Sequence, residues 1–393
     1  SPGTCAVGYN NLRFDDQVTR WLFYRNLLDP YAHAWRNQNS RWDLIDVLRL
    51  AHALRPDGLQ WPEREPGIAS FKLEDLTAAN QIEHQGAHDA LADVRATLAL
   101  GRLLRDAQPR LFDYALKLRD KRQVEQLIEG GKPLLHVSQR IPAALGCIAP
   151  VAVIGRRPAD HNGILCFDLR EDPAQLLELS DDELRLRLFT PRSELPDGVE
   201  RLPVKGVRVN AAPILVPMGT LGAVAAERWS IDLERVALHA RYMAQHRAAI
   251  ARRLEPLYAG ADMCDEPRDP EQMLYAGGFF SDADRREMDR LGALSAEELA
   301  EEHPVFEDKR LPVLLFRMRA RSWPATLSAD EREEWDAWRF DRLTDPDAGG
   351  PITIDAYEQR LAELRLERAD DPQALQIIGR LQAWGERAMS AGD

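Results

Sequence analysis

Between residues 133 and 216 five β-like runs follow one another, while the chain on either side of them reads largely as helix. The runs are Pro133–Val137, Ala149–Ile154, Gly163–Leu169, Leu202–Val209 and Ala212–Val216, punctuated by turn signals such as Gly130-Gly131 and Asn162-Gly163. This predicts a small β-rich module over residues 109–258, entered by a short helix at Arg110–Gly130 and left by a helix near Ile231–Leu254. Ahead of it, residues 1–106 combine one β-like run, Thr4–Tyr9, with helical segments at Asp16–Leu28, Arg41–Leu54, Lys72–Asn80 and Ala87–Leu104. The stretch Trp61–Gly67 reads as a Pro/Gly loop. Behind it, Asp262–Asp269 reads as a linker into an almost wholly helical block, 262–393, with Ser281, Ser295 and Ser328 as helix N-caps. The fold class expected is α/β plus α, in three blocks, a number that suits 393 residues.

Charge divides along the same lines. Residues 1–260 hold 34 Lys+Arg against 33 Asp+Glu, and residues 261–393 hold 17 against 31. The net charge of −13 therefore sits in the last block, and the first two can carry a basic groove if their charges segregate. No run of about 18 uncharged apolar residues occurs, and the opening SPGTCAVGYNN lacks the pattern of a signal peptide. Cys5, Cys147, Cys166 and Cys264 match neither a zinc pattern nor a disulfide scaffold, which makes a reducing cytoplasm the simplest location.

Two acidic clusters in the first block have chemical potential. Asn11-Leu-Arg-Phe-Asp15-Asp16 follows the β-like run and sets a carboxylate at a strand–helix junction. Ala87-His88-Asp89-Ala-Leu-Ala-Asp93 opens a helix, with Asp89 and Asp93 as an i,i+4 pair. Carboxylates on one face repel unless a cation lies between them. Mg2+ or Mn2+ suits such hard oxygen donors, and a histidine beside the cation can take a proton from an attacking water. Read singly, Asp15, Asp16 and Asp89 are ordinary helix caps, and His84 and His88 ordinary surface histidines.

The segments GYNNLRFDD (8–16), DPYA (29–32), NSRWDLIDVLR (39–49), SFKLEDLTAAN (70–80), AHDALADVRAT (87–97) and QPRLFDY (108–114) resemble the bacterial exodeoxyribonuclease I family. So do LPVKGVRVNAAPIL (202–215), GGFFSDADR (277–285) and LPVLLFRMRARSWPATL (311–327). That family belongs to the metal-dependent exonucleases that use four acidic residues and one histidine. The resemblance implies a ribonuclease H-like exonuclease domain, an SH3-like domain and a C-terminal helical domain, mapping onto 1–106, 109–258 and 262–393. It implies Asp15 and Asp93 as metal ligands and catalytic residues, and His88 as general base, with Mg2+ or Mn2+ as cofactor. The implied reaction, in DNA repair and recombination, is 3′-to-5′ hydrolysis of single-stranded DNA to 5′-mononucleotides.

The family's first motif, Asp-x-Glu on a strand, does not precede Asn11, and Glu63 and Glu65 cannot replace it by topology. The expectation is a partial exonuclease domain with a damaged sheet, weaker metal binding and impaired or absent cleavage. A shortened form of an otherwise active enzyme is the alternative.

The resemblance also implies a strand path over Arg20, Tyr31, Trp35, Arg49, Phe71 and Lys72, continued by Asn162, Lys205 and Asn210. Cations and stacking rings are what such a path needs. The helical block is expected to help enclose the strand, offering Arg317, Arg319 and Arg321. The acidic C-terminal tail of single-strand DNA-binding protein is the implied protein partner, and a monomer is expected. A non-catalytic single-strand binding module and an RNA-trimming or proofreading exonuclease are the competing readings.

Overall fold

The computed structural model describes residues 2–84, 89–158, 160–259 and 269–390. The chain divides into two compact units, Ser1–Val18 with Tyr31–Cys264, and Thr19–Pro30 with Asp265–Asp393.

In the first unit, β1 (Cys5–Gly8) runs parallel to β2 (Ser40–Asp43), with Cys5 opposite Ser40 and Gly8 opposite Asp43. Between them in sequence lie α1 (Asp15–Arg25), whose second half is grouped with the other unit, and the single turn α2 (Ala32–Trp35). The helix expected over Arg41–Leu54 is shorter: Arg41–Asp43 pairs with β1, and α3 (Leu44–Leu54) starts where the Asp43 side chain accepts from Ile45 N at 3.2 Å. Ten of its eleven residues are buried, so a nearly all-round apolar helix becomes the centre of the core. The Pro/Gly stretch is not plain loop, because Glu63–Glu65 (β3) pairs with Ile68–Ala69 (β4) as a bulged hairpin. Helices α4 (Leu73–Ala79) and α5 (Ala90–Ala107) follow, the latter burying Ala96, Leu100 and Leu104 at four-residue spacing.

The single helix expected over 110–130 is two, α6 (Pro109–Lys117) and α7 (Lys121–Glu129). They are separated where Asp120 caps the second by accepting from Arg122 N at 2.9 Å. The expected β module is an antiparallel five-stranded sheet, ordered β8-β7-β6-β5-β9. Its strands are β5 (Leu134–Val137), β6 (Ile148–Arg157), β7 (Asp160–Asp168), β8 (Val204–Arg208) and β9 (Ile214–Pro217). Helices α8 (Gln175–Glu178) and α9 (Asp181–Phe189) interrupt it, and α10 (Ala223–Arg228) and α11 (Leu233–Ala259) follow. One contiguous hydrophobic cluster runs from Trp42, Leu48 and Leu100 through Leu135 and Phe167 to Leu254. The first two sequence blocks therefore share a core.

The second unit is helical: α12 (Asp282–Leu291), α13 (Ala296–Glu301), α14 (Arg310–Ser322), α15 (Ala329–Thr344), α16 (Ile354–Glu367) and α17 (Pro372–Ser390). Ser281, Ser295 and Ser328 are its N-caps as expected, the last two in reciprocal capping boxes with Glu298 and Glu331. Tyr24 is buried here, stacked on Phe280 at 6.0 Å and donating to Pro270 O at 2.6 Å. Arg317, Arg319 and Arg321, expected to face a DNA strand, are instead paired internally. Arg317 meets Asp269 at 2.6 Å, Arg319 meets Glu331 at 2.7 Å, and Arg321 meets the buried Glu271. Among the described residues no helix is long and apolar enough to cross a membrane.

Candidate active site

The loop between β1 and α1 is fixed from several directions. A Cβ on Gly8 would sit 2.6 Å from Asn11 Cβ, so the tight approach requires glycine. Asn10 takes a left-handed conformation, φ 62°, which asparagine tolerates. Asp43, at the end of β2, accepts from Asn10 N at 2.8 Å and Leu12 N at 3.3 Å. Its carboxyl is 4% exposed, and burial pushes it up to about 6 against the pull of those N–H donors. Beside it Asp46 bridges Arg13 at 2.6 Å and Arg49 at 2.5 Å.

This loop sets the two acids that open α1 apart. Asp16 is 7% exposed and ion-paired with Arg41. Asp15, one residue earlier, is exposed. The structural role, as partner of Arg41, belongs to Asp16, and Asp15 is the carboxylate presented to solvent.

The second cluster also separates. Asp89 is the N-cap of α5, accepting from Leu91 N and Ala92 N at 3.1 Å each. Asp93 lies in the first turn with its side chain 43% exposed, and its Oδ1 is 2.7 Å from His84 Nε2. His84 is therefore no surface histidine: its side chain is 7% exposed and its Nδ1 is 3.3 Å from Thr77 Oγ1. Read from the sequence as an ordinary surface histidine, it carries no local signal of this burial, which comes from the path the chain takes after α4. His88 lies outside the described residues.

Of the candidate strand contacts, Phe71 is half-buried, with its carbonyl accepting from Tyr9 Oη at 2.6 Å and the Arg49 guanidinium 5.4 Å from its ring centre. Lys72 is exposed, its Nζ 3.5 Å from Glu74. Trp35 is 62% exposed and Tyr31 half-buried, whereas Arg20 is grouped with the second unit. Arg49 is buried in its pair with Asp46. In the β module, Asn162 Oδ1 accepts from Lys121 Nζ at 2.8 Å and Asn210 is exposed beyond β8. Lys205 is half-buried, 3.3 Å from Asp168, and burial lowers its ammonium from the usual lysine range.

Among the described residues no three His, Cys, Asp or Glu side chains gather closely enough to hold a metal ion. Asp15 and Asp93 are nevertheless accessible hard oxygen donors, which suit Mg2+ or Mn2+, cations that are often held by one or two carboxylates and several waters.

Family comparisons cover most of the chain. Residues 1–100 match the exonuclease family, 119–260 the exonuclease I SH3-like domain and 268–388 the exonuclease I C-terminal domain. Exodeoxyribonuclease I of Escherichia coli strain K12 is 40% identical over 387 residues, 98% of this chain and 80% of the relative. The crystal structure of E. coli exonuclease I in complex with a dA16 oligonucleotide superposes with a TM-score of 0.91 at 39% identity, covering 99% of this chain and 81% of that one. A crystal structure of SSB/exonuclease I in complex with an inhibitor gives a TM-score of 0.87 at 37% identity, covering 99% and 80%. This chain belongs to the exodeoxyribonuclease I family and is an exodeoxyribonuclease.

Proposed function

We propose that this exodeoxyribonuclease digests single-stranded DNA from its 3′ end and releases 5′-mononucleotides in DNA repair and recombination. The likeness over nearly the whole chain to an exonuclease I solved with dA16 is the observation that carries this reading. Residues 1–106 supply the chemistry, 109–258 extend the strand path, and 262–393 form the helical domain. Asp15 and Asp93 hold Mg2+, or Mn2+ in its place. When bound, the cation polarises the scissile phosphate and makes water a better nucleophile. His88 takes the proton from that water, and Asp89 secures the helix turn from which Asp93 projects.

Phe71 and Lys72 engage the terminal nucleotide. Tyr31 and Trp35 offer rings to the bases, and Arg20, Arg49, Asn162, Lys205 and Asn210 continue the path. The acidic tail of single-strand DNA-binding protein is the proposed partner, supported by the relative solved with SSB. We place the protein in the cytoplasm as a monomer.

An oligonucleotide labelled at its 5′ end, incubated with Mg2+ or with EDTA, tests the reaction. The expected result is a ladder shortened from the 3′ end with Mg2+ only, lost in Asp93→Ala while strand binding survives. Strand binding in EDTA with no mononucleotide released under any condition would instead identify a non-catalytic binding module.

A further inference from the structure

We propose that His84 is a positioning residue for Asp93, fixing which carboxylate oxygen is presented to a divalent cation. The inference rests on the reading of Asp93 as a metal ligand. The chain leaves α4 by a tight reversal. Gln81 takes a left-handed conformation, φ 56°, and Ile82 N returns to Thr77 O at 2.9 Å, so the backbone doubles back over the last helical turn. That reversal carries the His84 ring against Thr77, itself 1% exposed with its hydroxyl within bonding distance of Leu73 O and Glu74 O. The imidazole is thus wedged in a buried niche on one side, while Nε2 faces Asp93 Oδ1 at 2.7 Å on the other.

The backbone at Asp93 is independently held. Its N–H donates to Asp89 O at 3.0 Å and its carbonyl accepts from Thr97 Oγ1 at 2.8 Å. What remains free in an exposed first-turn aspartate is rotation of the carboxylate, and His84 removes that freedom. With Asp93 ionised, the group facing it at this distance must be a donor, so Nε2–H engages Oδ1 and Oδ2 is left for the cation. Hydrogen-bonded partners behind metal-ligating side chains are worth roughly 10–100-fold in metal affinity or activity. The bland alternative is that the pair merely ties residues 81–84 to α5.

Mn2+ binding to the full chain, followed by the electron paramagnetic resonance of the free ion, separates these. His84→Leu is expected to weaken Mn2+ binding by roughly 10–100-fold. His84→Gln, which keeps an N–H donor of similar reach, recovers most of it. Where turnover is measurable, kcat falls with the affinity while KM for an oligonucleotide stays within about twofold, since no strand contact is removed. A simple tether would lower the melting midpoint and leave Mn2+ affinity unchanged. Should His84→Leu fail to fold, His84→Asn, whose shorter amide cannot reach Asp93, takes its place. Asp93→Asn is the control. Weak Mn2+ binding in Asp93→Asn with parental binding in His84→Leu or His84→Asn overturns the role of His84 alone. Parental binding in Asp93→Asn overturns the metal-ligand reading itself, and this inference with it.

Discussion

The Tyr9 hydroxyl donates to the main-chain carbonyl of Phe71 at 2.6 Å across 62 residues of sequence. It ties the loop that leads to Asp15 directly to the ring proposed to meet the terminal nucleotide. Burial pushes the phenol well above the usual tyrosine range, so this donor keeps its proton at any working pH. Tyr9→Phe removes one hydrogen bond and leaves the Phe71 carbonyl short of a partner, a change worth about 1–3 kcal/mol. The expected outcome is a lower melting midpoint together with a several-fold rise in KM for single-stranded DNA. Thermal unfolding and oligonucleotide digestion read the two effects, and an unchanged KM would show that Phe71 does not depend on this tether.

The adjoining acids of α1 give a second test. Asp16 is buried against Arg41, and Asp15 is exposed. Asp16→Ala leaves a buried guanidinium unpaired and is expected to cost about 3–5 kcal/mol of stability. Asp15→Ala is expected to shift stability by less than about 0.5 kcal/mol while eliminating metal-dependent cleavage. Urea unfolding beside a cleavage assay assigns the two roles. A stable but inactive Asp16→Ala would reverse them.

Much of the fold was legible in sequence. The β module, the serine caps and the helices were readable because turn residues, cap residues and apolar periodicity act locally. The strand Arg41–Asp43 was not, because it exists only through parallel pairing with Cys5–Gly8, a contact 35 residues away. His84 was read as a surface histidine for a like reason. A histidine nine residues before Asp93 carries no local signal, and its burial depends on the reversal at Gln81. Arg49 and Lys205 are strand contacts that the family resemblance implies, but their internal pairing was not legible, because a sequence displays charge and hides its partner. Asp46 and Asp168 supply those partners here.

Asp43 predicts a pH dependence. Its folded-state pKa of about 6 lies above the ordinary aspartate value of 3.8. The folded protein therefore holds this proton more tightly than the unfolded chain does. The associated stabilisation is fully present below pH 3.8 and is lost as pH rises through about 6. At 1.36 kcal/mol per unit, the swing is on the order of 3 kcal/mol. Asp43→Asn cannot ionise. It keeps an acceptor for Asn10 N and Ile45 N but turns an amide towards Leu12 N, where the carboxylate accepted at 3.3 Å. The difference in unfolding free energy between the two proteins should therefore change between pH 4 and 6.5 and flatten above that. A difference constant over the whole window would mean that Asp43 titrates normally.

Salt dependence separates strand-path cations whose charge is open to a phosphate from those whose charge is already met within the protein. Lys72 is exposed beside Phe71, with only a long contact to Glu74, whereas Arg49 is buried against Asp46 and Lys205 is half-buried against Asp168. Each phosphate neutralised by a free cation contributes about 0.7 to the slope of log affinity against log salt for single strands. Lys72→Ala should therefore flatten that slope by about 0.7 and leave the melting midpoint unchanged. Arg49→Ala should barely alter the slope but destabilise the fold, because it uncovers Asp46 and withdraws the cation from the Phe71 ring. Trp35→Ala should lower affinity by about 1–3 kcal/mol at every salt concentration, since stacking releases no counterions. Fluorescence anisotropy of a labelled oligonucleotide across a salt series distinguishes the three. A slope that falls equally for Arg49→Ala and Lys72→Ala would mean that Arg49 neutralises a phosphate in spite of Asp46.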